Sequence, residues 1–241
     1  MPTPMPSSTA ESPLRLVVLD CDGTLVDSQH AIVSCMRDAF TAHDCAIPED
    51  AAIRRMIGLS LEEAVSRLLA DSAVPPRLIA DAYRKAFLTM RSRPDYDEPL
   101  YPGVVAALDA LESAGILLGI ATGKARRGLV ATLERHGLSN RFVTLQTVDS
   151  NPGKPHPAML LRAMAETGVD PSATVVVGDT VYDIEMARRA GARAVGVAWG
   201  YHTPDELEAA GADRIVLGCD ELADCLLSLL RGVPCVVSNG Y

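Results

Sequence analysis

Residues 14–24 read LRLVVLDCDGT, and this stretch decides the fold. Its first six residues are apolar except for Arg15, a pattern typical of a strand that is buried on both faces, as in a parallel sheet. Two aspartates follow, separated by Cys21, and Gly23 permits the chain to turn off the strand. The stretch therefore predicts a strand whose carboxyl end carries the acidic pair Asp20 and Asp22.

Similar apolar runs recur along the chain. Further strands are predicted at 116–121, 174–177 and 194–198, with weaker candidates at 142–147 and 214–217. From about residue 100 onward the runs alternate with helical patterns. This alternation indicates a doubly wound α/β domain with a mainly parallel sheet.

One interval is too long for this alternation. A unit of two parallel strands and their connecting helix needs about 30 residues, and residues 28–98 are more than this unit requires. They carry helical patterns without a convincing strand. We predict an inserted all-helical cap domain of four or five helices at 28–98 and a core domain made of 13–27 and 99–241. Residues 1–12, rich in Pro, Ser and Thr, predict a disordered tail.

Composition narrows the class of function. The 31 acidic residues outnumber the 22 lysines and arginines, and the formal net charge of −9 argues against nucleic-acid or membrane partners. No apolar stretch reaches the ~20 residues of a membrane-spanning helix, and the N-terminus lacks the features of a signal peptide. The six cysteines show no Cys-x-x-Cys spacing and predict free thiols. We therefore expect a cytoplasmic protein.

Reactive residues follow four of the predicted strands. In chain order they are Asp20 and Asp22, then Thr122 and Gly123, then Lys154, and then Asp179 and Asp183. Ligands of open parallel sheets bind outside the carboxyl ends of the strands, so we expect these residues to share one site.

The residue types suit phosphoryl transfer. Carboxylate oxygens are ligands for Mg²⁺, and the ion and Lys154 would offset the charge of a bound phosphate. Thr122 and main-chain N–H groups would hold the phosphoryl oxygens. Asp20 is then predicted to attack phosphorus and form an aspartyl-phosphate, with Asp22 as general acid and base.

These residues, in this order, resemble the four motifs of the haloacid dehalogenase superfamily. The motifs are Asp20-x-Asp22-Gly23-Thr24, Thr122, Lys154 and Gly178-Asp179-x-x-x-Asp183. The resemblance implies that Asp20 is the nucleophile and Asp22 the acid/base, and that Thr122 and Lys154 bind phosphate. It also implies that Asp20, the Asp22 carbonyl and Asp179 ligate Mg²⁺, with Asp183 in support. The insert is similar to the helical (C1) cap of this superfamily.

The resemblance favours one reaction among several. Haloacid dehalogenases and the phosphonatase branch lack the second aspartate, so Asp22 indicates a phosphatase. Sugar-phosphate mutases keep both aspartates and stay an alternative, as does a pyrophosphatase; a non-enzymatic binding protein is disfavoured because no catalytic residue is missing. The wider pattern resembles the phosphoglycolate-phosphatase-like group, so a small phosphorylated metabolite such as phosphoglycolate is the expected substrate. Arg54 of the insert is predicted to contact it. The sequence leaves open whether the protein is a monomer or a homodimer.

Overall fold

The structure is a computed structural model that describes residues 13–69 and 73–232. The tail predicted at 1–12 lies outside the described residues. Six strands form one sheet in the order β3-β2-β1-β4-β5-β6, and every neighbouring pair is parallel. The prediction of a doubly wound, mainly parallel α/β fold is confirmed.

The strands lie close to the predicted apolar runs. They are β1 (Leu16–Leu19), β2 (Leu117–Thr122), β3 (Thr144–Thr147), β4 (Thr174–Gly178), β5 (Arg193–Val197) and β6 (Arg214–Val216). The helices of the insert are α1 (Gln29–Thr41), α2 (Asp50–Arg55), α3 (Leu61–Leu69) and α4 (Pro76–Arg91). Those of the core are α5 (Val104–Ser113), α6 (Arg126–Arg135), α7 (Ala158–Thr167), α8 (Val181–Arg189), α9 (Pro204–Ala209) and α10 (Cys219–Arg231).

Strand β1 is central because both of its faces are buried. Val17 and Leu19 pack into the cluster that contains α5 and α10, whereas Leu16 and Val18 pack into the cluster that contains α7 and α8. Side chains of a strand alternate between its two faces, so a continuous apolar run is what burial on both sides requires. This explains why the run at 14–19 was a strong signal for a central strand.

The four helices of the insert have an apolar core of their own. Phe40, Ile53 and Ile79 are each at most 1% exposed and belong to one cluster drawn from α1, α2, α3 and α4. Tyr201 of the core packs against the same cluster. None of the helices in the described residues is long and apolar enough to cross a membrane.

The order of the strands reverses at β1. The chain adds β2 and β3 on one side of β1 and then crosses back to place β4 on the other side. β1 and β4 are therefore neighbours, and the loops that follow them run in opposite directions. These loops leave a crevice between them at the carboxyl edge of the sheet, where ligands bind in folds of this kind.

Candidate active site

The acidic pair lies where β1 ends. The main-chain N–H of Asp20 donates to Val177 O (2.9 Å), and the chain then turns back so that Val26 N–H donates to Cys21 O (3.0 Å). The side chain of Cys21 is buried in the core cluster, whereas Asp20 and Asp22 both line one cavity. The turn thus brings the first and third residues of the motif to the same space.

Gly23 sits in this turn with a φ of +91°. A Cβ atom there would lie 2.3 Å from Asp179 Oδ2 and 2.5 Å from Tyr201 Cε2. Both the backbone conformation and the space therefore exclude a side chain. The main chain at Gly23 passes next to the Asp179 carboxylate. The loop after β1 and the loop after β4 are therefore in contact at this point.

Three buried carboxylates meet at this junction. Oxygens of Asp20, Asp179 and Asp183 lie within 4.8 Å of one another, and each residue is at most 1% exposed. Two hydrogen bonds orient the middle one: Thr24 Oγ1 donates to Asp179 Oδ1 (2.8 Å) and Tyr201 N–H donates to Oδ2 (3.0 Å). Carboxylates from two strand ends therefore converge on one point.

Asp183 and Lys154 complete the cluster. Asp183 closes the capping box of α8, because its Oδ2 accepts hydrogen bonds from the hydroxyl (2.6 Å) and the main-chain N–H (3.2 Å) of Thr180. Its Oδ1 accepts a hydrogen bond from Lys154 Nζ at 2.6 Å. The same ammonium lies 2.8 Å from Asp20 Oδ1. One lysine therefore bridges two of the three acids.

The cluster holds an excess of negative charge. Burial raises the pKa of Asp20 to about 7; Lys154 opposes this rise and Asp183 adds to it. Burial also raises the pKa of Asp179 well above its ordinary value, and the charges of Asp20 and Asp183 raise it further. Burial lowers the pKa of Lys154, but Asp183 and Asp20 raise it more, so this side chain stays a cation. The ammonium of Lys154 therefore contacts two of the three acids and offsets only part of their charge.

A divalent cation fits this arrangement. Neither carboxylate oxygen of Asp20 has a hydrogen-bond partner of good geometry in the described part of the chain, although Lys154 is close to Oδ1. Buried polar atoms without partners call for a ligand, and three carboxylates offer the oxygen donors that Mg²⁺ prefers. Of the predicted metal ligands, the structure brings the side chains of Asp20, Asp179 and Asp183 together.

The side chain of Asp22 is held apart from that cluster. Its Oδ1 accepts a hydrogen bond from Ser28 Oγ and another from Lys124 Nζ, both at 2.6 Å. Lys124 Nζ also donates to Glu98 Oε1 at 2.8 Å. The contact predicted between Asp22 and the metal used its main-chain carbonyl and stays a prediction.

Thr122 is the last residue of β2 and Gly123 follows it, and both line the same cavity as Asp20. Thr122 is 1% exposed, and its Oγ1 accepts a hydrogen bond from Lys124 N–H at 3.2 Å. At Gly123 a Cβ atom would lie 2.5 Å from the carbonyl oxygen of Leu59, in the insert. The insert thus touches the core directly above the strand ends.

The cavity between insert and core has a volume of about 910 Å³. Asp20, Asp22 and Thr122 line it on the core side. From the insert come apolar and aromatic side chains, including Ile32, Met36, Met56, Tyr83 and Phe87. Its size lies near the upper end of the range of about 300–1,000 Å³ that is usual for small-molecule sites.

Arg54 does not line this cavity; the arginines that do are Arg84, Arg91 and Arg127. The Nε atom of Arg54 is buried without a hydrogen-bond partner among the described residues. Its role in substrate contact stays a prediction, and the lining arginines are alternatives that sequence reasoning did not select.

Family comparison agrees with this geometry. Residues 17–197, from β1 to the end of β5, match the model of the haloacid dehalogenase-like hydrolases. The chain belongs to this family. The matched segment includes the three carboxylates, Asp22, Thr122 and Lys154.

Individual relatives support a phosphatase of this family. The probable phosphatase IndB of Dickeya dadantii is 39% identical over 220 residues, which cover 90% of this chain and 95% of that protein. The phosphoglycolate phosphatase of Nitrosococcus oceani is 28% identical over 217 residues, covering 88% and 96%. A crystal structure described as a predicted phosphatase from Clostridium acetobutylicum has the same fold, with a TM-score of 0.81, 24% identity and coverage of 90% and 100%. The prediction of a hydrolase of the phosphatase type is confirmed.

Two buried residues of this hydrolase escaped the sequence-based prediction. Lys124 was not among the residues predicted at the site, and Glu98 was assigned only to the predicted insert at 28–98. One signal was available: the chain has three lysines, Lys85, Lys124 and Lys154, and the latter two follow predicted strands. In a chain whose cations are almost all arginines, that placement is informative.

Magnesium should stabilise the fold through the carboxylate cluster. A ligand that binds only the folded state adds about 2.7 kcal/mol of stability at 100 times its Kd. We expect Mg²⁺ to raise the Tm of the wild-type protein, and Asp179→Asn to remove most of that rise, because one of three ligand carboxylates is lost. Differential scanning calorimetry with and without Mg²⁺ measures both.

The exposed acid Glu208 provides the control for this experiment. Glu208→Gln changes the net charge equally and should retain the wild-type response to Mg²⁺. An equal rise in Tm for Asp179→Asn and Glu208→Gln would show that the ion binds elsewhere.

Proposed function

We propose that the protein is a Mg²⁺-dependent phosphatase that hydrolyses a small phosphomonoester through an aspartyl-phosphate on Asp20. The observation that carries the proposal is the state of Asp20, which is buried, lines the cavity and has no hydrogen-bond donor of good geometry on either oxygen. A carboxylate without such donors keeps its lone pairs available for attack on phosphorus.

The residues around Asp20 have complementary tasks in this proposal. Lys154 Nζ offsets the charge of the nucleophile and of the approaching phosphoryl group, while Thr122 Oγ1 and main-chain N–H groups orient the phosphoryl oxygens. Asp20, Asp179, Asp183 and the carbonyl of Asp22 would hold Mg²⁺, which would neutralise phosphoryl charge. Asp20 forms a bond to phosphorus as the ester bond to the leaving oxygen breaks.

Asp22 is the proposed general acid and base. It lines the same cavity as Asp20 but stands outside the carboxylate cluster, with Ser28 and Lys124 as its partners. In the first half-reaction it gives a proton to the leaving oxygen. In the second half-reaction it takes a proton from the water that attacks the aspartyl-phosphate, which regenerates Asp20 and releases phosphate.

The cavity and the relatives support a small phosphomonoester as the substrate class. Phosphoglycolate is the first candidate, because a relative over most of the chain is named for it. A cavity of about 910 Å³ also admits larger esters, including sugar phosphates and nucleoside monophosphates. We propose that the insert acts as the cap domain that selects among them, and that the enzyme acts in the cytoplasm. Phosphate release in a panel of these esters distinguishes a phosphatase from a mutase, which would isomerise a sugar phosphate without releasing phosphate.

Removing the nucleophile tests the reaction. Asp20→Asn should lower Mg²⁺-dependent phosphate release on the order of 10⁴-fold or more, because the covalent step is lost. Mass spectrometry of acid-quenched wild-type protein should find phosphate on Asp20. The exposed Asp95 supplies the control, since Asp95→Asn should turn over at the wild-type rate. Full activity in purified Asp20→Asn protein would contradict the proposal.

Contact between cap and core should matter for turnover. Gly123→Ala places a Cβ atom 2.5 Å from Leu59 O and 3.0 Å from Gly58 O, so the cap loop must move. Small displacements in an active site reduce rates by up to about 100-fold, so we expect kcat/KM to fall by about 10- to 100-fold.

A second glycine controls for backbone effects. A Cβ atom at Gly115 meets nothing within 4 Å, and Asn tolerates its left-handed φ of +73°. Gly115→Asn should therefore keep the wild-type kcat/KM. Unchanged kinetics in Gly123→Ala would mean that this contact has no part in catalysis.

A further inference from the structure

Lys124 is a buried cation at the active site to which the proposed reaction assigns no task. Its side chain is 8% exposed, and its ammonium lies 2.6 Å from Asp22 Oδ1 and 2.8 Å from Glu98 Oε1. The ring centroid of Phe87 lies 5.7 Å from the same nitrogen, on the insert side. Two of the three N–H donors of Lys124 are therefore directed to carboxylates.

Glu98 anchors Lys124 from behind. Its side chain is fully buried, its Oε2 accepts a hydrogen bond from Thr132 Oγ1 at 2.9 Å, and its carbonyl lies 2.8 Å from His136 Nε2. Besides its contact with Lys124, Glu98 is thus held to the core at two points, one carboxylate oxygen and its main-chain carbonyl. These two contacts restrict its movement, so Glu98 fixes the position of Lys124.

The charges argue against Lys124 as a binding site for a substrate anion. One ammonium stands between the carboxyl groups of Asp22 and Glu98, which take two of its three N–H donors. An anionic group of the substrate would therefore gain little from this cation, which is already paired twice. The geometry instead directs Lys124 to Asp22.

The contacts of Asp22 show what this pairing does. Among the described residues, the two donors that reach its side chain, Ser28 Oγ and Lys124 Nζ, both end on Oδ1. Oδ2 is therefore the oxygen left to carry a proton. Without Lys124 the carboxyl group would keep only Ser28, whose hydroxyl is also 3.4 Å from Tyr201 Oη and can rotate toward it. One hydrogen bond permits rotation about the Cβ–Cγ bond, whereas two restrict it.

We propose that Lys124, held by Glu98, is a positioning residue that orients the Asp22 carboxyl group so that Oδ2 delivers its proton to the leaving oxygen. This inference rests on the proposed function. In the step concerned, the Asp20–phosphorus bond forms, the phosphorus–oxygen ester bond breaks, and the proton moves from Asp22 to the departing oxygen. A leaving group that is stable as an anion does not need that proton.

This difference in leaving groups supplies the test. The wild-type protein, Lys124→Met and Asp22→Asn are assayed with two alkyl esters, phosphoglycolate and glycerol phosphate, and with dinitrophenyl phosphate as an aryl ester. General acid catalysis contributes about 10²- to 10⁴-fold. We expect kcat/KM for the alkyl esters to fall in both variants, by up to that amount, and kcat/KM for the aryl ester to change less than about 3-fold, since kcat/KM reports the step up to departure of the first product.

Three further variants sharpen the result. Lys124→Met combined with Asp22→Asn should lose no more activity toward alkyl esters than Asp22→Asn alone, because both act through one proton transfer. Lys85→Met removes the exposed lysine of α4 and should leave every rate unchanged. If a melting scan shows that Lys124→Met is unfolded, Glu98→Gln takes its place. This variant should show the same dependence on the leaving group, with a smaller fall in kcat/KM for the alkyl esters.

The outcomes separate the positioning role from its rivals. Equal losses with alkyl and aryl esters would overturn the proposal, since they indicate a structural or phosphate-binding role. A rise in KM confined to phosphoglycolate would overturn it in favour of a substrate-carboxylate contact. Absence of any Mg²⁺-dependent turnover in the wild-type protein would overturn the proposed function itself, independently of Lys124.

Discussion

The site depends on one unfavourable interaction, the repulsion among three carboxylates removed from water. Transfer of an ionised carboxylate to a protein interior costs several kcal/mol after relaxation, and Lys154 compensates for only part of this at Asp20 and Asp183. The surrounding fold must therefore hold the acids in place. Burial and mutual repulsion raise the pKa of Asp20 and of Asp179 for the same reason. Under the proposed function a divalent cation would offset this excess negative charge, so the cost of assembling the cluster is linked to cation binding.

The topology of the sheet explains how the acids can be so close. Asp20 and Asp179 follow adjacent parallel strands, and the strand order reverses beside them, so the two loops diverge and leave a crevice. Gly23 lets the first loop approach the Asp179 carboxylate at a distance that no side chain would allow. Because the insert leaves the core directly after this turn and returns before α5, its helices lie over the same crevice.

Sequence reasoning recovered the strands and selected all three acids of the cluster, because both are marked by local signals. An apolar run of four to six residues marks a buried strand, and the polar residue after it lies at the ligand-binding edge; Asp20 and Asp179 are examples. Glu98 was not recoverable in this way. It stands in a polar segment with two prolines, and only tertiary contacts with Lys124 and Thr132 bury it. That Arg54 lies outside the cavity lining could not be predicted either, because the direction of a helix in the insert depends on packing that its periodicity does not encode.

The two aspartates of the first motif differ in their side-chain contacts, and these contacts indicate different roles that their spacing in the sequence does not. Asp20 shares Lys154 with Asp183 and has no donor of good geometry, which suits a nucleophile. Asp22 receives two short hydrogen bonds on one oxygen, which suits a group that must present a proton in one direction. Each acid has its own lysine: Lys124 lies in the loop after β2, and Lys154 lies in the loop after β3. Under the proposed mechanism, phosphoryl chemistry therefore belongs to the core, whereas proton delivery lies next to Phe87 and the other cap residues that would meet the leaving group. Substitutions in the cap can then change which leaving group is accepted without disturbing the carboxylate cluster that acts on phosphorus.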